Sequence, residues 1–177
     1  MRIVGGTHGG RTLRAPRGQA TRPTSERVRE ALMNILGGTL PPGTRVLDLY
    51  AGAGALGMES LSRGAAHATF VDQAATACRC IRENLEALGL VAQATVVQAP
   101  VARALERLAG PFELVFIDPP YAGDEAEATL ARLAPLLAPE RTVIVEHDRR
   151  RPPAERYGEL ARIDQRRYGD TGLSFFR

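Results

Sequence analysis

The sequence predicts an α/β fold, a mostly parallel sheet with helices on both faces, and three observations carry that prediction. Short apolar runs alternate with helical patterns, three of the runs end in an aspartate, and a glycine-rich loop follows the first of those three. Regular alternation of strand and helix implies right-handed βαβ crossovers. Acids at strand ends are placed to meet a ligand, because the crevice of an open α/β sheet lies beyond the carboxyl ends of its strands.

Taken in chain order, Ile3-Val4 and Thr12-Leu13 flank a glycine-rich turn and predict a small hairpin or arm. Pro23-Thr24-Ser25-Glu26 then supplies helix-start residues, Val28, Ala31, Leu32, Ile35 and Leu36 form an apolar stripe, and Gly37-Gly38 stops the helix. Four β-branched-rich runs predict strands: Arg45 to Leu49, Ala68 to Asp72, Phe112 to Asp118 and Thr142 to Glu146, with a weaker one at Ala94 to Val97. Helical patterns lie between them near 57–64, 74–88, 101–109 and 125–137. Glu159 to Tyr168 and Gly172 to Arg177 read as two strands joined at Gly169-Asp170, an antiparallel hairpin that closes a seven-stranded sheet. The 177 residues suit one domain, in which 1–38 form an arginine-rich arm and helix and 39–177 the main body.

All 23 basic side chains are arginine, and against 20 acids they leave a net charge of +3. That near-neutrality is a cancellation. Residues 1–30 carry +5, residues 31–148 carry −6 and residues 149–177 carry +4. Two cationic ends on an acidic body suggest a polyanionic partner held by the termini. No apolar run approaches the ~18 residues of a membrane span, and the N-terminus lacks the apolar core of a signal peptide, so a cytoplasmic protein is expected. Cys78 and Cys80 lie on different faces of a helical pattern, and His8, His67 and His147 are isolated in sequence. Neither a disulfide nor a metal site is expected.

Gly52-Ala53-Gly54-Ala55-Leu56-Gly57 follows a strand and opens a helix, with Asp72 20 residues after Gly52. That pattern serves either a dinucleotide or S-adenosylmethionine, since glycines admit a ligand close to the backbone and the acid can accept hydrogen bonds from ribose hydroxyls. Asp48 at the strand end favours the second reading. Its charge would repel a pyrophosphate and attract the cationic ammonium of a methionine moiety.

Asp118-Pro119-Pro120-Tyr121 follows the most hydrophobic strand. Two prolines remove two N–H donors and stiffen the turn, which then offers carbonyl oxygens and one carboxylate as acceptors. Such a surface suits an exocyclic amino group: hydrogen bonds accepted from its two N–H groups draw the nitrogen towards sp³ geometry and aim its lone pair at an electrophile. Tyr121 can stack on the base, which must leave its own stack to enter.

These motifs resemble the amino-group methyltransferases that use adenosylmethionine, a Rossmann-like class I fold. Arg2-Ile3-Val4-Gly5-Gly6, Gly10-Arg11, the segment Thr21-Arg22-Pro23-Thr24-Ser25-Glu26-Arg27-Val28-Arg29-Glu30-Ala31-Leu32, the run Asp48 to Gly57 and Leu61-Ser62-Arg63-Gly64-Ala65 are similar to the RsmD family over nearly the whole chain. The Arg-Pro-Thr segment is more specific than the glycine loop. Members of that family methylate the N2 amino group of one guanine in 16S ribosomal RNA. The resemblance implies that Asp48, Gly52, Gly54 and Asp72 bind S-adenosyl-L-methionine, that Thr24 closes over it, and that Asp118, Pro119, Pro120 and Tyr121 handle the base. It implies ribosomal RNA as partner, in an assembled or assembling small subunit. Arg2, Arg11, Arg14, Arg17 and Arg22 of the cationic arm are the expected phosphate contacts, and a single domain with no obvious dimerisation stripe is expected to be a monomer. One departure stands out. Where many related enzymes place an Asp or Asn after the third strand, near the adenine, this chain has Gln98-Ala99-Pro100-Val101, leaving backbone groups or Gln98 for that contact. A DNA amino-methyltransferase, a nicotinamide-dependent oxidoreductase and an RNA-binding module without catalysis are the competing readings.

Overall fold

The computed structural model describes residues 1–16, 26–120 and 124–177. Arg17, Arg22, Thr24 and Tyr121, four of the expected site residues, lie outside the described residues.

Five strands run parallel: β1 (Arg45–Leu49), β2 (His67–Asp72), β3 (Ala94–Gln98), β4 (Phe112–Ile117) and β5 (Leu137–Asp148). β6 (Arg156–Tyr157), β7 (Leu160–Tyr168) and β8 (Thr171–Phe176) complete the sheet in the order β3-β2-β1-β4-β5-β8-β7-β6, with β8 antiparallel to both β5 and β7. Seven strands are those expected. The eighth, β6, is a two-residue edge pairing that no periodicity could announce. The chain order reverses at β1, between β2 and β4, which sets the ligand crevice beyond the ends of those strands.

Helices α1 (Glu26–Ile35), α2 (Ala55–Ser62), α3 (Ala75–Leu88), α4 (Val101–Leu105) and α5 (Glu125–Leu130) fall at the expected places, with α4 and α5 shorter than their patterns. The pattern after α5 resolves into a 3-10 turn at Ala134–Leu136, where Pro135 lacks the N–H an α-helix would need. The main chain then enters β5 at Leu137, opposite Phe112, so that strand starts five residues before its apolar centre.

Alternation along the strands divides the core in two. Val46, Phe70, Leu114, Phe116, Ile144, Leu173 and Phe175 pack on one face, against Met58, Leu61, Ile81 and Leu85 of α2 and α3. The opposite face carries Leu47, Leu49, Val71, Val115, Ile117, Val143 and Val145 under α4 and α5. β3 is an edge strand with one neighbour and no fully buried residue, which explains its weak sequence signal.

The N-terminal hairpin belongs to the first face. Ile3 N donates to Arg11 O (2.9 Å) and Gly10 N to Ile3 O (2.8 Å), while Ile3 and Leu13 are buried beside Val28, Leu32 and Met33 of α1. Its anchor is Glu59, which has no solvent exposure. That carboxylate accepts from Val4 N (2.7 Å), Gly5 N (2.9 Å) and Arg63 Nε (2.8 Å), so its charge is paired and hydrogen-bonded.

Candidate active site

The strand register gathers the acids. Asp48 is paired across the sheet with Phe70 on one side and Phe116 on the other, and both phenylalanines belong to the first face. Asp72, two residues past Phe70, and Asp118, two past Phe116, project on that same face at the carboxyl ends of their strands. A fourth acid joins them. Glu146, two residues past Ile144 and opposite Leu173, is 7% exposed and lies close enough for its charge to act on Asp118. The sequence marks Glu146 as the last residue of an apolar run, and counting it with the other strand-end acids was the signal that could have found it.

Each acid has a distinct setting. Asp72 is spent partly on its own loop, its Oδ2 accepting from Gly52 N (2.9 Å) and its Oδ1 from Ala74 N (2.8 Å). Asp48 is 2% exposed, with Oδ2 accepting from Gly57 N (2.9 Å), so it supports the glycine loop from below. Burial pushes the Asp48 carboxyl up to about 7; the Gly57 N–H opposes that rise and the charge of Asp72 adds to it. Asp118 is pushed well above the usual carboxylate range, first by burial of its carboxyl and then by the charges of Glu146 and Asp48. Pro119 is buried and Pro120 exposed, and the Asp118 N–H points back to Leu49 O at 3.4 Å.

The loop between β1 and α2 has room for a ligand. Gly52 and Gly54 take φ of 57° and 76°, a left-handed backbone that other residues adopt at a cost, and a Cβ on Gly52 would meet nothing within 4 Å. Gly57 plays a different part. A Cβ there would collide with the Phe70 ring and stand 3.1 Å from Asp48 Oδ2, so this glycine serves packing. Tyr50 also has positive φ, 62°, and its hydroxyl pairs with Thr129 Oγ1 at 2.9 Å, which ties the start of the loop to α5. Strained non-glycine backbone of this kind concentrates at functional sites. Nothing in the sequence marks it.

An open glycine turn beside buried acids fits a cationic, ribose-bearing cofactor better than a pyrophosphate. Gln98 is exposed and paired with Asp72 in register, hence on the same face and beside the loop. Of the arm arginines, Arg2 is ion-paired with Glu26 (2.9 Å), Arg14 with Glu83 (3.1 Å), and Arg11 donates to Ala87 O (2.9 Å). The ion pairs are exposed and contribute little. Cys78 and Cys80 are buried free thiols, and no group of acids, histidines or cysteines suited to a metal occurs among the described residues. No helix among them is long and apolar enough to cross a membrane.

The family described as conserved hypothetical protein 95 matches residues 1–177. The protein named "Putative rRNA methyltransferase YlbH" from Bacillus subtilis is 36% identical over 182 residues, covering 100% of this chain and 98% of the relative. "Ribosomal RNA small subunit methyltransferase D" of Escherichia coli is 37% identical over 150 residues, 84% of this chain and 75% of that protein. Among solved structures, "Putative methyltransferase yhhF from Escherichia coli" superposes with a TM-score of 0.86 at 31% identity, over 99% of this chain and 96% of that one.

Proposed function

Because the chain belongs to the family of conserved hypothetical protein 95, the RsmD-type methyltransferases, we propose that it transfers the methyl group of S-adenosylmethionine to the N2 amino group of a guanine in small-subunit ribosomal RNA. The observation that carries this reading is the placement of Asp48, Asp72 and Asp118 on one face around an open glycine loop. When bound, the sulfonium cofactor supplies an electrophilic methyl group.

The chain's own residues do the rest. Asp72 offers its remaining lone pairs to ribose hydroxyls, Gly52 lets the backbone approach the ligand, and Gly54 turns the loop with its bare Cα packed against Ile81, Met58 and Phe70. Asp48, buried under the loop, contributes negative potential that favours a cation above it. Backbone groups after β3, or Gln98 beside Asp72, remain for the adenine, and Thr24 for closure over the cofactor.

Asp118 and the Pro119 carbonyl accept from the two N–H groups of the target amine and hold its lone pair in line with the methyl group. After transfer the nitrogen carries an extra proton. A carboxyl whose proton affinity is already raised by burial and by Glu146 is suited to take it. Pro120 keeps the turn rigid and Tyr121 stacks on the extruded base. Neither cysteine takes part. Arginines 2, 11, 14, 17 and 22 of the arm are the proposed RNA contacts on the N-terminal side, for a monomeric enzyme acting in the cytoplasm.

The test is tritiated methyl transfer into 30S subunits and free 16S RNA from a strain lacking the corresponding methylation. Incorporation into either substrate supports the reading. Absence of incorporation into both, with the cofactor bound, overturns it. Retention of labelled adenosylmethionine in preference to nicotinamide dinucleotide separates this reading from an oxidoreductase.

A further inference from the structure

Asp48 and Asp72 lie to one side of Asp118 along one edge of the sheet, and a group of exposed arginines lies to the other. Asp48 and Asp72 stand on β1 and β2, to one side of β4. On the other side come β5, β8 and β7, and the register carries a single cross-strand row outward from Asp118. Its neighbour on β5 is Glu146, which pairs with Leu173 on β8, which in turn pairs with Arg166 on β7. Directly paired residues share a face, so Arg166 lies on the face that carries Asp118, three strand spacings or roughly 14 Å away.

More arginines surround that end of the row. Asp148 pairs with Thr171, and Arg149 N donates to Asp170 O (3.0 Å), so the turn after β5 and the tip of the β7–β8 hairpin lie at the same end of the sheet as Asp118. Arg149, Arg150, Arg151, Arg166 and Arg167 are all exposed. Arg150, Arg151 and Arg167 form no ion pair among the described residues, and the pairs of Arg149 with Asp170 (3.6 Å) and Arg166 with Asp164 (2.8 Å) are exposed ones that a phosphate can displace.

The described arm runs along α3, on the cofactor side of Asp118: Arg14 O and Ala53 O of the glycine loop both accept from Asn84 Nδ2. Arg11 lies beside Ala87, twelve residues or about 18 Å along α3 from its start next to Asp72.

We propose that the tip of the β7–β8 hairpin and the adjoining 149–151 turn form a phosphate-binding surface that grips the single-stranded RNA flanking the target base. The proposal rests on the RNA-methyltransferase reading and adds a direction to it. A cation-attracting half of the edge holds the cofactor, a phosphate-attracting half holds the RNA strand, and the base enters between them at Asp118. Single-stranded RNA is the occupant because an amino group can reach a recessed carboxylate only when its base is unstacked.

The experiment compares the full-length wild type with Arg150→Gln/Arg151→Gln/Arg166→Gln. A control, Arg103→Gln/Arg107→Gln, removes charge from α4 and the turn after it, and Arg150→Lys/Arg151→Lys/Arg166→Lys keeps the charge. Affinity for free 16S RNA is measured by filter binding across a salt series, and adenosylmethionine affinity is measured in parallel. The expected result is a loss of at least tenfold in RNA affinity for the triple Gln variant, with the slope of log K against log salt smaller by about 2. Cofactor affinity stays at the wild-type value, the α4 control binds RNA normally, and the Lys variant recovers most of the affinity. RNA affinity and slope unchanged in the triple Gln variant overturn the proposal, as does an equal loss in the α4 control. Binding is read separately from transfer, so a wild type that binds RNA through the hairpin yet methylates none refutes the proposed reaction and leaves the surface standing.

Discussion

Asp118 and Glu146 stand side by side at the ends of adjacent parallel strands, and the charge of Glu146 adds to burial in raising the proton affinity of Asp118. Two acids on neighbouring strands, on the face that also carries Asp48, thus set the protonation of the group proposed to meet the amine.

That relationship gives a pH prediction. Glu146 raises the Asp118 pKa, so Glu146→Gln lowers it, and the ionised carboxyl needed to accept hydrogen bonds from the amine then persists to lower pH. The acid limb of kcat/KM for methyl transfer moves to lower pH in Glu146→Gln, while cofactor affinity at pH 8 is unchanged. A limb that stays in place or moves upward contradicts the role given to Glu146.

The role proposed for Asp118 is to act on the amine. Asp118→Asn keeps the shape of the turn but exchanges one acceptor for a donor. It should bind adenosylmethionine within about threefold of wild type and lose on the order of 10²- to 10³-fold in kcat, the scale of one misplaced electrostatic contact. Calorimetry for binding and single-turnover methylation separate the two effects, and wild-type turnover in this variant removes Asp118 from the mechanism.

Cofactor affinity should depend on pH through Asp48. In the free protein its carboxyl is pushed up to about 7, so below that pH it holds a proton. A cationic ligand favours the ionised form and binding releases the proton, so affinity rises by up to about tenfold per pH unit towards 7 and levels above it. Asp48→Asn should flatten that profile. Titrations from pH 5.5 to 8.5 check it, and a wild-type affinity independent of pH contradicts the placement of Asp48 beneath the cation.

Glu59 holds the N-terminal hairpin from a fully buried position, accepting from Val4 N and Gly5 N and pairing with Arg63. Glu59→Ala leaves the Arg63 cation, itself nearly buried, without its partner, at a cost of roughly 3–5 kcal/mol. Denaturant unfolding measures the loss, and amide exchange at Val4 and Gly5 should quicken beyond that of β1. Unchanged exchange at those two amides would show that the hairpin is held by Ile3 and Leu13 alone.

Much of the fold is legible in the sequence because buried strands advertise themselves. Val46 to Leu49, Ala68 to Val71 and Phe112 to Ile117 are largely apolar runs, and each is followed or interrupted by the acid that its position in the sheet turns towards the crevice. Other features depend on partners distant in sequence. β5 extends back to Leu137 because Phe112 offers it a neighbour, and Arg14 meets Glu83 across 69 residues. The glycine motif reads as one ligand-binding unit in the sequence, yet its members have separate roles, since Gly52 faces open space while Gly57 is required by the Phe70 ring. Tyr50 is invisible there because an aromatic side chain gives no sign of a left-handed backbone. Glu146 closes its apolar run as the aspartates close theirs, but only the pairing of β5 beside β4 brings its charge to Asp118.

Methyl transfer to guanine N2 at the acid-lined edge of the sheet is read from the identity of the product. Unmodified 16S RNA, incubated with the protein and labelled adenosylmethionine, is digested to nucleosides and separated with mass detection. Label is expected in N2-methylguanosine, at no more than one per RNA, and none with Asp118→Asn beyond the residual turnover of that variant. Label in a methylated adenosine, in a ring-nitrogen methylguanosine or in protein alone would contradict it.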